Sequence, residues 1–140
     1  MIFGSGIPKK LIRKHHDGKY IVVDYEDKQG VKLDYRDKKI YGCFRTAGVL
    51  AIMVAHVMGA SKISIVGMDG YTLKSKKDLD KGSGSQHCYG KGFTDDSSWK
   101  ECVEKDDIVK KALKDLSNYG VKFSILTPTV FADYYDSIQI

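Results

Sequence analysis

The stretch from Arg45 to Tyr71, RTAGVLAIMVAHVMGASKISIVGMDGY, constrains the fold more than any other part of the chain. Apolar residues between Ala47 and Met58 cover most of a helical surface, which predicts a helix buried on all sides. Thr46 is a typical N-cap residue, and Gly59 stands where a helix-ending glycine belongs. The following run, 62–67, predicts a β-strand.

A second helix and three further strands are predicted from the same periodicities. The helix covers 106–119 and ends at Gly120, and the charged segment 26–39 is expected to run over the surface. The strands are 20–25, expected to be buried, 40–44 and 121–126. Strands that alternate with helices through short turns form right-handed βαβ units. We therefore predict a single α/β domain, a three-layer Rossmann-like fold with a mostly parallel sheet and helices on both faces.

A long segment without periodicity follows the strand at 62–67. It covers 68–100 and is rich in Gly, Ser, Lys and Asp. A loop of this length in a compact domain is usually functional or disordered. It also leaves the carboxyl end of a strand, where open parallel sheets bind ligands. We predict a mobile loop or lid over 68–100.

The start of that loop combines a carboxylate, a glycine and a phenol in Asp69, Gly70 and Tyr71. An Asp just past a strand can bind a ribose hydroxyl, and a Tyr hydroxyl can donate to a phosphate oxygen. The structural alternative is that Asp69 caps the turn and Tyr71 packs on the sheet edge. Both interpretations remain open at this point.

The middle of the loop, 82–93, is glycine-rich and contains His87 and Lys91. Histidine is suited to acid or base work near neutral pH, and glycines would let the loop close over a substrate. The alternative is a flexible surface loop with no such role. No Walker pattern and no GxGxxG is present, so the loop is not a recognised phosphate cradle.

Composition narrows the function classes. A chain of 140 residues fits one domain, and its longest apolar stretch is too short to span a bilayer. With no signal-peptide pattern and three cysteines without a CxxC pair, we expect a cytoplasmic protein with reduced thiols and no metal site. The formal net charge is +5, but no aromatic base-stacking motif accompanies the basic clusters. We therefore expect no nucleic-acid partner.

These motifs resemble the bacterial sialyltransferases of the Campylobacter type. In that family a T-S-G-V helix precedes a strand ending in G-I-D-F-Y, as Thr46–Val49 and 67–71 do here. The similarity continues through a loop with a histidine, a helix and a strand leading to Pro128. It is shared with pterin-diphosphokinase-like domains and with uncharacterised domains attached to aldolase-like barrels in surface-polysaccharide loci.

The resemblance implies a domain that binds CMP-sugar or another nucleotide as ligand, without a cofactor or metal, in surface polysaccharide synthesis. It implies that Tyr71 holds the CMP phosphate, and it adds Thr46 and Gly48 to the candidate ligand-binding residues. In the family's H-x-x-G-H element the second histidine is the base. Here His87 matches the first histidine and Lys91 stands at the base position. A protonated lysine would neutralise the leaving phosphate rather than accept a proton.

The family's first strand and its G-N-G-P-S turn have only a superficial counterpart in 3–8, FGSGIP, and the sequence predicts no strand ahead of it. We therefore expect the chain to be the second half of a longer protein or a reduced version of the domain. Two other functions stay open: an accessory domain without chemistry, fused to an aldolase-like enzyme, and a diphosphokinase-like nucleotide-binding protein. Another domain of the same polypeptide or a second copy of the chain is a possible partner.

Overall fold

The computed structural model describes residues 1–34, 36, 38–73 and 98–137. Within them the chain forms three helices, six strands and one 3₁₀ turn. In chain order these are β1 (Ile2–Gly4), α1 (Lys9–His15), β2 (Ile21–Asp27), β3 (Lys32–Asp34), β4 (Lys39–Gly42), α2 (Ala47–Val57), β5 (Ile63–Ile65), α3 (Trp99–Asn118), β6 (Phe123–Ile125) and the 3₁₀ turn Ala132–Tyr134.

The described strands form two sheets. The first has the order β1-β2-β4-β3, and the second pairs β5 with β6. The pairs β1/β2, β2/β4 and β5/β6 are parallel, whereas β3 runs antiparallel to β4. The predicted α/β class and the mostly parallel pairing are confirmed. The expected single sheet is replaced by two, and β3 lies in the charged segment for which no strand was predicted.

One hydrophobic core joins the two sheets. It contains Ile40 and Phe44 from the first sheet region, Ile125 from the second, and buried faces of both long helices. The core residues contributed by α2 and α3 are Val49, Ile52, Met53, Val54, Val109, Ala112, Leu113 and Leu116. Removing an aliphatic side chain of this size from water stabilises the fold by about 1.5–3 kcal/mol. The two sheets are therefore parts of one folded unit.

Both predicted ends of α2 are confirmed. The Oγ1 of Thr46 accepts a hydrogen bond from the Val49 N–H at 3.4 Å. After the last turn, the N–H of Gly59 donates to His56 and the N–H of Ala60 donates to Ala55, the pair of bonds that closes a Schellman motif. The prediction that α2 is buried on all sides was wrong, because Val57 and Met58 are 48% and 61% exposed. The core contacts one side of the helix, and its last turn reaches solvent.

The helix predicted for 106–119 begins earlier, at Trp99, roughly two turns before Asp106. Its start is fixed by a capping box. The Ser98 hydroxyl accepts from the Glu101 N–H, and the Glu101 carboxylate accepts from the Ser98 N–H. The first turns of α3 contribute few residues to the core, so the apolar periodicity that was used to predict the helix begins only after them. Residues 99 and 100 of the expected loop therefore belong to α3.

Two expectations about the N-terminal region were also wrong. The strand at 20–25 exists as β2, but Ile21 and Val22 are exposed. The core cluster meets this strand further along, at the partly buried Val23 and through the ring of Tyr25, which packs against Phe44. A strand that was not predicted, β1, leads directly into the turn at 5–8 and pairs with β2.

Among the described residues, no helix is long and apolar enough to cross a membrane.

Candidate functional site

The loop after β5 is held by the carboxylate of Asp106 on α3. One oxygen accepts from the Tyr71 N–H at 2.8 Å. The other accepts from the Thr72 N–H at 2.8 Å and from the Thr72 hydroxyl at 2.6 Å. Asp106 is only 7% exposed, so these bonds replace the water that a buried carboxylate loses. The loop backbone at Tyr71 and Thr72 is thereby fixed in one position.

Gly70 has no room for a side chain. Its φ is +88°, and a Cβ at this position would overlap Val130 Cγ2 and lie 3.2 Å from an Asp106 oxygen. Both the left-handed backbone and the close approach therefore require glycine here. The candidate ligand-binding role predicted for Gly70 is not needed to explain its presence, since packing alone demands it.

Among the described residues, three hydrogen bonds of 3.0 Å or less join the loop after β6 to the loop after β5. The Thr129 hydroxyl donates to the Met68 carbonyl at 2.7 Å. The Val130 N–H donates to the Asp69 carbonyl at 2.9 Å, and the Gly67 N–H donates to the Thr127 hydroxyl at 3.0 Å. Since β5 and β6 are parallel, their carboxyl ends meet at one edge of the small sheet. The two loops form a single wall at that edge.

The N-terminus of α2 lies against this wall. A Cβ at Gly48 would lie 2.7 Å from the Met68 Cε, so the first turn of α2 contacts the residue before Asp69. This turn contains no acidic residue. The N–H groups of Ala47 and Gly48 have no carbonyl partner within the helix, because first-turn amides never do. The helix therefore brings amide donors and a partial positive charge to the same edge.

Two side chains of the loop reach outward. Asp69 is exposed, and its Oδ1 lies 3.5 Å from the Thr127 hydroxyl, a long and weak contact. Tyr71 is half-buried, and the Lys105 Nζ lies 5.1 Å from the centre of its ring, within reach of a cation–π interaction. The wall thus presents a carboxylate, hydroxyls and a lysine to solvent.

Some of the predicted site residues lie together in the structure, and others fall outside the described residues. Asp69, Gly70, Tyr71 and Gly48 lie in one region, with Thr46 as the cap of the helix that brings Gly48 there. His87 and Lys91 fall outside the described residues, as does most of the expected lid at 68–100. The structural alternative had Asp69 cap the turn, but in the structure the carboxylate that accepts the loop N–H groups of Tyr71 and Thr72 is that of Asp106.

Sequence reasoning missed Asp106 and Lys105 as site residues. Asp106 precedes Val109 by three positions and Leu113 by seven, which places a carboxylate in line with the apolar face of a helix. A charged residue on a buried face is rarely left without a partner, and this is the signal that could have identified it.

Within the described ranges, no group of three or more His, Cys, Asp or Glu side chains is arranged to hold a metal ion. Comparison with protein-family models, with curated proteins and with solved structures finds no match to this chain. What the site can do must therefore be argued from its own residues.

Proposed function

We propose that this chain is a nucleotide-sugar-binding, glycosyltransferase-like domain that acts in surface polysaccharide synthesis. The observation that carries the proposal is the contact of Gly48 with Met68. Through this contact, the helix N-terminus, whose first amides have no partner within the helix, and the Asp69–Tyr71 loop share one edge. A parallel α/β arrangement binds ligands at such edges. The three-layer Rossmann-like arrangement and a cytoplasmic location are parts of the same proposal.

The phosphate would bind at the first turn of α2. Anions are stabilised at helix N-termini by unpaired N–H groups and by the helix dipole. No acidic residue of this turn itself opposes that potential. The Tyr71 hydroxyl would donate to a phosphate oxygen, and the Lys105 ammonium beside its ring would add positive charge.

The ribose or the sugar would bind at Asp69. Its carboxylate is exposed, and among the described residues it accepts only the weak contact from Thr127. A carboxylate in this state can accept two hydrogen bonds from the vicinal hydroxyls of a ribose. Asp106 would keep Asp69 and Tyr71 at a constant spacing, since it fixes the backbone at Tyr71 and Thr72.

In the proposed reaction an acceptor hydroxyl attacks the anomeric carbon of the donor sugar. The bond between that carbon and the phosphate oxygen breaks, and the nucleotide leaves with the bonding electron pair. His87 and Lys91 keep the roles that the sialyltransferase resemblance suggests, with Lys91 neutralising the leaving phosphate. The acceptor proton passes to solvent.

The test is a thermal-unfolding titration of the full chain with CMP, UMP, ADP, CMP-sialic acid and inorganic phosphate. A ligand that binds only the folded state raises the midpoint with concentration. We expect a nucleotide to raise it, and Asp69→Asn and Tyr71→Phe to weaken that effect. Asp17→Asn and Tyr119→Phe, at exposed positions outside the site, are the matched controls.

No midpoint shift with any nucleotide at millimolar concentration would contradict the proposal. Equal weakening by the site variants and by their controls would contradict the assignment of the site. A shift that requires ATP together with magnesium would instead support diphosphate transfer.

A further inference from the structure

The region around α1 carries most of the chain's excess positive charge. Five cationic side chains lie between residues 9 and 19, against the single carboxylate of Asp17. All five are exposed, and none forms an ion pair with another described residue. They are Lys9, Lys10, Arg13, Lys14 and Lys19. We call residues 7–19 the basic N-terminal surface.

Apolar side chains are exposed within the same surface. Ile7 is 39% and Leu11 is 49% exposed, and they lie four residues apart in the chain. Ile12 is the only residue of α1 that is buried. Leu11 lies between Lys10 and Arg13 in sequence, so an exposed aliphatic side chain is flanked by cations. A helix that combines lysines with solvent-exposed aliphatic residues is typical of a surface that lies on a membrane.

A nucleic-acid partner fits these residues less well. Binding of single strands requires aromatic rings that are free to stack on bases. The aromatic side chains nearest the surface, Phe3, His16 and Tyr20, pack against one another, with ring centres 5.8, 5.8 and 6.3 Å apart. The exposed non-polar groups are aliphatic instead, and aliphatic chains favour the boundary of lipid headgroups and acyl chains.

We propose that the basic N-terminal surface docks the protein on an anionic lipid bilayer. The lysines and Arg13 attract the negative surface, and Leu11 and Ile7 insert among the headgroups. Binding is reversible, since a seven-residue helix bearing Leu11, together with Ile7 just before it, buries little area. The proposal is independent of the nucleotide site, which uses different residues.

The test is co-sedimentation of the full chain with vesicles of phosphatidylcholine alone and of phosphatidylcholine mixed with phosphatidylglycerol. We expect binding to the anionic vesicles only, decreasing as salt is added. The triple variant Lys9→Gln, Lys10→Gln, Lys14→Gln should bind on the order of 100-fold less tightly, at roughly fivefold for each charge.

The chain offers a matched control in three exposed lysines of α3. The triple variant Lys110→Gln, Lys111→Gln, Lys114→Gln removes the same charge from another surface and should change binding less than about tenfold. Leu11→Ala should weaken binding about tenfold, whereas Val103→Ala, at an exposed position of α3, should not. Circular dichroism of each variant establishes that the fold is retained.

Three results would overturn the proposal. They are equal losses in the two triple variants, equal binding to neutral and anionic vesicles, and binding to a single-stranded RNA without sedimentation with vesicles.

Discussion

Thr72 gives both its backbone N–H and its hydroxyl to the same oxygen of Asp106, at 2.8 and 2.6 Å. The other oxygen of Asp106 accepts the N–H of Tyr71. One buried carboxylate therefore satisfies three donors of a loop that lies 34 to 35 residues earlier in the chain. Because this loop carries Asp69 and Tyr71, the geometry of the candidate site depends on Asp106.

Replacing Asp106 by Asn should destabilise the protein. The amide keeps the shape but loses the charge, and its NH₂ group cannot accept from Thr72. We expect the free energy of unfolding to fall by about 1–3 kcal/mol, measured by urea denaturation. Asp107→Asn, at the exposed neighbouring position, should change it by less than about 0.5 kcal/mol. Similar losses in both variants would contradict the anchoring role.

Replacing Gly70 by Ala should be more costly than replacing Gly67 by Ala. Both glycines have positive φ, +88° and +79°, but only at Gly70 does a Cβ overlap another side chain. We expect a loss of about 2–4 kcal/mol at Gly70 and about 1–2 kcal/mol at Gly67 from chemical denaturation.

A second substitution separates backbone strain from steric overlap at Gly70. Val130→Ala removes the methyl group that the new Cβ would meet. In a double-mutant cycle it should recover part of the loss from Gly70→Ala and none of the loss from Gly67→Ala. Strict additivity of Gly70→Ala and Val130→Ala would show that overlap with Val130 does not cause the loss.

The capping box of α3 should make stability depend on acid pH. Hydrogen bonds from the backbone and the hydroxyl of Ser98 lower the pKa of Glu101 below its ordinary value of 4.5. A lowered folded-state pKa contributes stability above the unfolded-state pKa, and this is lost as pH falls through the folded-state pKa. The unfolding free energy of the wild type should therefore fall more steeply below about pH 4.5 than that of Glu101→Gln, measured by denaturation across that range. Parallel pH curves for the two proteins would contradict this account.

Replacing Ser124 by Ala should stabilise the protein slightly. Its hydroxyl is buried in β6 and has no hydrogen-bond partner among the described residues. Removing a buried unpaired hydroxyl should raise the free energy of unfolding by about 1 kcal/mol. Ser64 is its cross-strand neighbour on β5 and is exposed, so Ser64→Ala is the control and should be nearly neutral. A loss of stability in Ser124→Ala would indicate that its hydroxyl is bonded after all.

The sequence predicted correctly those features that depend on residues close to one another in the chain. The cap at Thr46 and the Schellman motif at Gly59 depend on residues within a few positions of one another, and both are confirmed. The start of α3 was missed, because the capping box of Ser98 and Glu101 precedes the apolar stripe on which the prediction relied. β1 and β3 were missed because neither lies in a longer apolar run of the kind that contains β5 and β6. β1 leads at once into a glycine-containing turn, and β3 lies within the charged segment 26–39.

The sequence indicated Asp69, Gly70 and Tyr71 as a candidate strand-end cluster, but it did not indicate which residues hold that cluster in place. Its support comes from Asp106, Thr129 and Val130, which are 34 or more residues away in sequence. Such contacts form only when the chain folds, so periodicity and spacing cannot reveal them. The same reason explains why the contact of Gly48 with Met68 was not foreseen.

The central claim is that a nucleotide binds between the first turn of α2 and the loop that Asp106 anchors. The most direct measurement is a titration of the ¹⁵N-labelled full chain with CMP, followed by amide chemical shifts. We predict that the largest saturable shifts belong to the amides of Ala47, Gly48, Gly70 and Tyr71, and that Asp17 and Tyr119 do not respond. Saturable shifts confined to other parts of the chain, or no shifts with any nucleotide at millimolar concentration, would contradict the claim.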